Sequence, residues 1–192
     1  MTHQYYFAAT LPSLQFGMEP PVTGVEFLAR AARYLPEREL EILSAVSLAP
    51  VPEEAGSSPS PLLRRYAAWS SSLRLELARL RAERAGRAFE AGGLADVPQD
   101  AGAVAAARAA FGSASPLDGE LELEGRRWAF VDGLSPIQTF DFDGLCAWRL
   151  KLLILERLAL LTTERGEIGY RAVYSAILAA YEGRNDGAHT SS

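Results

Sequence analysis

The chain of 192 residues has one cysteine and two histidines, and these scarcities exclude whole classes of function. A single thiol, Cys146, allows no intrachain disulfide and leaves no partner for a CxxC pair. His3 and His189 stand in the two terminal tails, so a Ser-His-Asp or Cys-His constellation is not expected. No HExxH or similar ligand spacing points to zinc, and no P-loop or GxGxxG cradles a phosphate. Charges interrupt every apolar run well short of the roughly 20 residues needed to cross a bilayer. Met1 to Gly17 has no basic n-region and carries Pro12 within its apolar stretch, so neither a signal peptide nor a span is expected there. The expectation is a cytoplasmic protein with one buried thiol. Acidic residues outnumber Lys and Arg by 24 to 19 for a net charge of −5, which argues against a generic nucleic-acid binder.

What the chain has in quantity is alanine, leucine, arginine and glutamate, the better helix formers. Two long helical segments recur about eighty residues apart, each opening on a tryptophan and closing on a charged, glycine-ended turn. One runs from Trp69 to Gly86 and the other from Trp148 to Gly166, spacings of 17 and 18. A helix with one apolar stripe cannot bury it alone, so a repeated helical unit speaks for architecture. The expected fold is all-α: a two-lobed bundle of about six helices built around the two long ones, with an extended N-terminal segment. The lobes fall at 1–96 and 97–192, or merge into one compact domain.

Local signals place the elements. Gln4 to Leu11 is aromatic and β-prone, and is expected to lie extended against the body until Pro12. Thr23 with Glu26 forms a capping-box pattern before a helix whose inner face is Phe27, Leu28, Ala31 and Leu35. Pro36 starts a further helix, and Ala49 to Pro61 is a Pro/Ser/Gly loop. Ser60 and Pro61 then launch the first long helix, with Tyr66, Leu73, Leu77 and Leu80 inward, Trp69 beside them, and Gly92-Gly93 ending it. A second row, Leu75, Ala78, Ala82, Ala85 and Phe89, is mostly small.

Pro98 to Phe111 reads as helix, and Ser115-Pro116-Leu117-Asp118 restarts the chain. Leu121 to Phe130 fits either a hairpin about Gly125 or a helix with Leu117, Leu121, Trp128 and Val131 inward; helix is favoured. Glu122, Glu124, Arg126 and Arg127 then form a solvated face. Asp141 or Asp143 caps the second long helix, apolar around most of its girth, with Trp148 buried and Arg149, Glu156 and Thr163 as a thin polar stripe. A last amphipathic helix presents Tyr170, Val173, Tyr174, Ile177 and Tyr181 before a polar tail.

Two groups bear on function. Asp141 and Asp143 make a carboxylate pair that, with Arg149, is the constellation a small enzyme would use, but their place before a long helix suits capping better. Seven arginines, Arg64, Arg65, Arg74, Arg79, Arg81, Arg84 and Arg87, decorate the first long helix. Glu-to-Arg spacings on a helix usually mark a solvated, salt-bridged surface; the sharper alternative is a face for an acidic partner.

Tyr5-Tyr6-Phe7-Ala8-Ala9-Thr10-Leu11-Pro12, Arg127-Trp128, and Phe140-Asp141-Phe142-Asp143 leading into Trp148-Arg149-Leu150-Lys151 resemble a bacterial family encoded beside V-type ATPase subunits. Leu80-Arg81 followed by Ala85-Gly86-Arg87-Ala88-Phe89-Glu90 is also similar to helices of the C-type subunit of V/A-type ATPases, the d-type subunit of eukaryotes. Proteins of that type are all-helical sockets of three lobes between proteolipid ring and central axle; this chain has the length of about two. The resemblance implies a non-catalytic rotor adaptor without cofactor or metal, held peripherally on the inner face of the membrane by central-stalk subunits and the proteolipid ring. On that reading Arg74, Arg81 and Arg84 are the partner-binding residues, expected to be exposed. The alternative is a free-standing helical assembly factor or interaction module.

Overall fold

The computed structural model describes residues 2–51, 57–94, 96–134 and 140–161. Every long regular element among them is an α-helix: α1 Thr2–Thr10, α2 Gly24–Ala31, α3 Glu37–Ser44, α4 Pro61–Arg84, α5 Ala101–Phe111, α6 Pro116–Leu134 and α7 Phe142–Leu160. A 3-10 turn at Gly92–Leu94 interrupts the connection from α4 to α5. Among the described residues no helix is long and apolar enough to cross a membrane. The expected last helix with Tyr170 to Tyr181, and Thr163, lie outside the described residues.

The helix starts form where short polar side chains meet orphan N–H groups. Thr23 Oγ1 accepts from the Glu26 N–H at 3.2 Å and Glu26 Oε2 accepts from the Thr23 N–H at 2.8 Å, completing the capping box. Ser60 Oγ accepts from the Leu63 N–H at 3.2 Å with Pro61 at the first position of α4. Asp100 and Asp141 cap α5 and α7 in the same way, each carboxylate accepting at 2.8 Å from the backbone three residues on. Of the two aspartates weighed for α7, Asp141 is the cap.

α7 is the central element. It packs against α1, α2, α3, α4 and α6, and Leu145, Cys146, Leu150, Leu152, Ile154 and Leu155 are fully buried. α4 packs most extensively on α5, whose buried side chains, Ala103, Ala106, Ala107 and Ala110, are all alanines. Small side chains there let two helix backbones approach. α6 crosses α5 at Gly119, where an added Cβ would stand 2.8 Å from the Ala110 carbonyl oxygen. One hydrophobic cluster runs from Phe7 through Tyr66 and Val131 to Leu152, so both halves of the chain contribute to it.

Four expectations need correction. Gln4 to Leu11 is not extended: its residues form most of α1, because no strand among the described residues is there to pair its backbone and a helix satisfies those groups internally. Phe7 from α1 stacks on Tyr34 with ring centroids 5.4 Å apart. The first long helix stops at Arg84, short of Gly92-Gly93. Gly86 takes φ +62°, and its N–H and that of Arg87 bond back to Glu83 and Ala82 carbonyls, a Schellman ending. α6 is a helix, as favoured, but Leu117 and Leu121 are exposed while Leu123 and Glu124 face inward. Trp148 is half-buried: it stacks on Phe27 at 4.7 Å and its indole N–H donates to the Pro12 carbonyl at 2.9 Å. Trp69, its counterpart in the repeat, is buried and stacks on Phe130 instead.

Phe27 has no exposed surface and sits between Phe7 and Trp148. Phe27→Ala should therefore cost about 3–5 kcal/mol, and Trp148→Ala less, about 2–3 kcal/mol, because part of the indole already faces water. Denaturant titration checks the order; an equal or larger loss at Trp148 would contradict it.

Candidate protein-interaction face

α4 has 24 residues and spans roughly 36 Å at 1.5 Å per residue. Its run from Tyr66 to Leu77 is largely buried, whereas Arg81 and the chain from Glu83 to Glu90 are exposed. The helix therefore carries only its last turn toward solvent, with Leu80 still packed against the core. At 100° per residue Arg74, Arg81 and Arg84 fall within roughly 80° of arc, so one helix side carries all three.

Their environments differ. Arg74 is half-buried rather than exposed: its Nη2 donates to the Pro50 carbonyl at 2.7 Å and to Ser71 Oγ at 3.3 Å, tying the segment before α4 to the helix. Two hydroxyls on the same side of α4 reinforce that tie, Tyr66 Oη and Ser70 Oγ donating to the Leu48 carbonyl at 3.1 and 3.2 Å. Arg84 lies over the Phe111 ring at 3.8 Å from its centroid and donates to the Phe111 carbonyl at 3.3 Å, joining the ends of α4 and α5. Arg81 is exposed and makes no side-chain bond among the described residues. Of the other arginines, Arg64 donates to the Ser58 carbonyl and Arg79 pairs with Glu76 and Glu83, while Arg65 and Arg87 are exposed without such bonds. Among the described residues at this end, Arg81 and Arg87 are the arginines without a side-chain bond.

The Glu-to-Arg spacings on α4 do form salt bridges, but sequence reasoning missed the burial of Glu76 and its partner on α5. Glu76 is buried, and its carboxylate accepts from Arg79 at 2.7 and 2.8 Å and from Arg108 of α5 at 3.1 Å. The hydrogen bonds from Arg79 hold its pKa down at about 2 against the opposing effect of burial. Spacing could reveal Glu76 with Arg79 but not Arg108, which lies 32 residues away. Glu124 is likewise not on a solvated face. It is fully buried on α6, with Oε1 accepting from Arg127 at 2.5 Å and Arg157 of α7 at 2.8 Å. Burial raises its pKa despite the pull of both arginines.

The carboxylates and thiol weighed for chemistry do structural work. Asp143 accepts from Ser60 Oγ at 2.5 Å, linking the starts of α7 and α4, while Asp141 caps α7. Arg149 turns away from both aspartates: it is buried, lies 3.8 Å from Glu156, and covers Gly24, where an added Cβ would meet its Nη1 at 2.3 Å. Desolvation lowers its pKa, with Glu156 opposing. Glu156 also accepts from the Gly24 N–H at 2.6 Å, so this pair seats the first turn of α2 on α7. Burial pushes the Cys146 thiol up to about 12, out of the range in which thiolates form at neutral pH. Among the described residues no group of three or more His, Cys, Asp and Glu side chains is placed to hold a metal ion.

No family model, no curated protein and no solved structure matches the chain.

The Glu76 cluster gives a pH prediction. Its folded pKa lies below the unfolded value of about 4.3, so its contribution is present above that value and is lost as pH falls toward 2. Glu76→Gln should lose about 1–2 kcal/mol at pH 7 and flatten the acid limb of stability between about pH 4.5 and 2. Thermal melts across that range test it; an unchanged acid limb in the variant would show that Glu76 does not carry it.

Proposed function

We propose that this chain is a non-catalytic adaptor in a V-type ATPase rotor, similar to the C-type socket and linking central-stalk subunits to the proteolipid ring. The observation that carries the reading is the projecting end of α4. Arg81, on the last turn of α4, and Arg87, three residues past its end, make no side-chain bond among the described residues, and the Glu76–Arg79–Arg108 cluster and the Arg84–Phe111 stack hold that helix end stiff. A link that transmits torque needs rigid contact groups, and guanidinium groups make paired, charge-assisted hydrogen bonds to carboxylates on an axle or ring loop. The similarity of Leu80-Arg81 to helices of the ATPase socket covers this same end, while Ala85 to Glu90, also similar in sequence, lies past the last helical residue, Arg84. In this reading residues 1–96 and 97–192 are two lobes closed around one core, and attachment to the membrane is peripheral, through the partners alone.

Arg74 has a different part. Its bonds to Pro50 and Ser71 make it a fold residue, so it does not belong among the partner contacts. Reversing Arg81 and Arg87 to Glu together should leave stability within about 0.5 kcal/mol and weaken pull-down of V-type ATPase subunits by a tagged chain. The wild-type association should itself weaken with added salt. Arg74→Glu should instead lower stability by about 1–3 kcal/mol, since it removes the bond to Pro50 and places a carboxylate beside that carbonyl. Recovery of the same subunits with the double reversal, at equal yield and two ionic strengths, would refute the adaptor face.

A further inference from the structure

A cavity of about 350 Å³ lies between the end of α3, the segment that follows it, and the first turns of α4. Ile42, Val46, Pro50, Val51, Leu63 and Tyr66 give it an apolar wall, and none of its described lining residues is charged. It is remote from the projecting end of α4 and independent of the adaptor reading.

Two features suit it to a ligand. Its size is that of pockets which enclose small organic ligands. Its wall is fixed in advance, because Tyr66, Ser70 and Arg74, spaced four residues apart on one side of α4, hold the Leu48 and Pro50 carbonyls; a ligand entering meets little ordering cost.

Hydroxyl groups on the wall bear on the chemistry of the occupant. Ser47 and Ser58 line the cavity, and each hydroxyl oxygen accepts from a backbone N–H, of Ala49 at 3.2 Å and of Ser60 at 3.3 Å. A hydroxyl that accepts in this way still has its own hydrogen to donate. We infer that the cavity binds a small neutral amphiphile: an apolar chain or ring ended by one hydrogen-bond-accepting oxygen, such as an ester or ketone. A carboxylate is disfavoured, since none of the described lining residues is charged and burying an unpaired charge is costly.

The test uses the full chain and the neutral fluorescent probe N-phenyl-1-naphthylamine. Titration should show saturable binding at one site, and methyl octanoate should displace the probe at concentrations at least about tenfold lower than octanoate. Ala49→Trp and Ala45→Phe, which fill the cavity from exposed backbone positions, should each weaken probe binding by about tenfold or more with helical circular dichroism unchanged. If one variant fails to fold, the other and the competition on the wild type decide. No saturable binding by the folded wild type, equal displacement by octanoate, or unchanged affinity in a folded filled variant would each overturn the assignment.

Discussion

The burial of α7 constrains everything else in this molecule. A helix that is apolar around most of its girth must be covered on nearly every side, and α1, α2, α3, α4 and α6 each supply part of that cover. The few polar side chains of α7 are therefore not free to face water at will. Lys151 pairs with Asp132, Arg157 with Glu120 and Glu124, and Arg149 with Glu156 against the first turn of α2. Where the charge is buried, at Glu124 and Arg149, the pair fixes where a neighbouring helix sits, because leaving a buried charge alone costs far more than placing its partner. The neighbours of α7 are thus positioned by an apolar surface they must cover and by a small set of charges they must meet.

α4 inherits its role from that arrangement. Its first turns are held by the core and by the Ser60–Asp143 bond to the start of α7, and its middle by alanine-lined contact with α5 and by Glu76. Beyond Leu80, which still packs against the core, the last turn of α4 emerges toward solvent. A rigid rod with a buried root and a cationic tip is a natural presenter of charge, and the adaptor reading rests on it. The same root fixes the segment after α3, through Tyr66, Ser70 and Arg74, and so shapes the cavity there. Two surfaces suited to recognition arise from one helix for different reasons: one because its cations lack partners, the other because its carbonyls have them.

Much of the fold was legible in the sequence wherever the signal is local. Thr23 with Glu26, Ser60 with Pro61, and Asp141 before an apolar run mark helix starts because each side chain serves backbone within three residues. The central place of α7 was legible because its apolar girth leaves no alternative. What failed was whatever depends on a distant partner. The aromatic stretch Gln4 to Leu11 looked extended, but strand formation needs a neighbouring strand and none of the described elements is one. Arg74 and Glu124 looked solvent-facing because exposed and buried arginine and glutamate have the same local spacing; Pro50 and Arg157 decide the matter, and neither lies within one helical turn. For the candidate face, the arginine density was readable while the division into structural Arg74 and Arg84 and free Arg81 and Arg87 was not.

The central claim is that the projecting end of α4 touches rotor subunits in the assembled complex. A photo-crosslinking side chain placed at position 81 in cells that make the chain, with position 126 as an exposed control on α6, tests it most directly. The account predicts that position 81 captures a central-stalk protein or a proteolipid loop and that position 126 does not. Capture of no V-type ATPase component from position 81, or the same products from both positions, would contradict it.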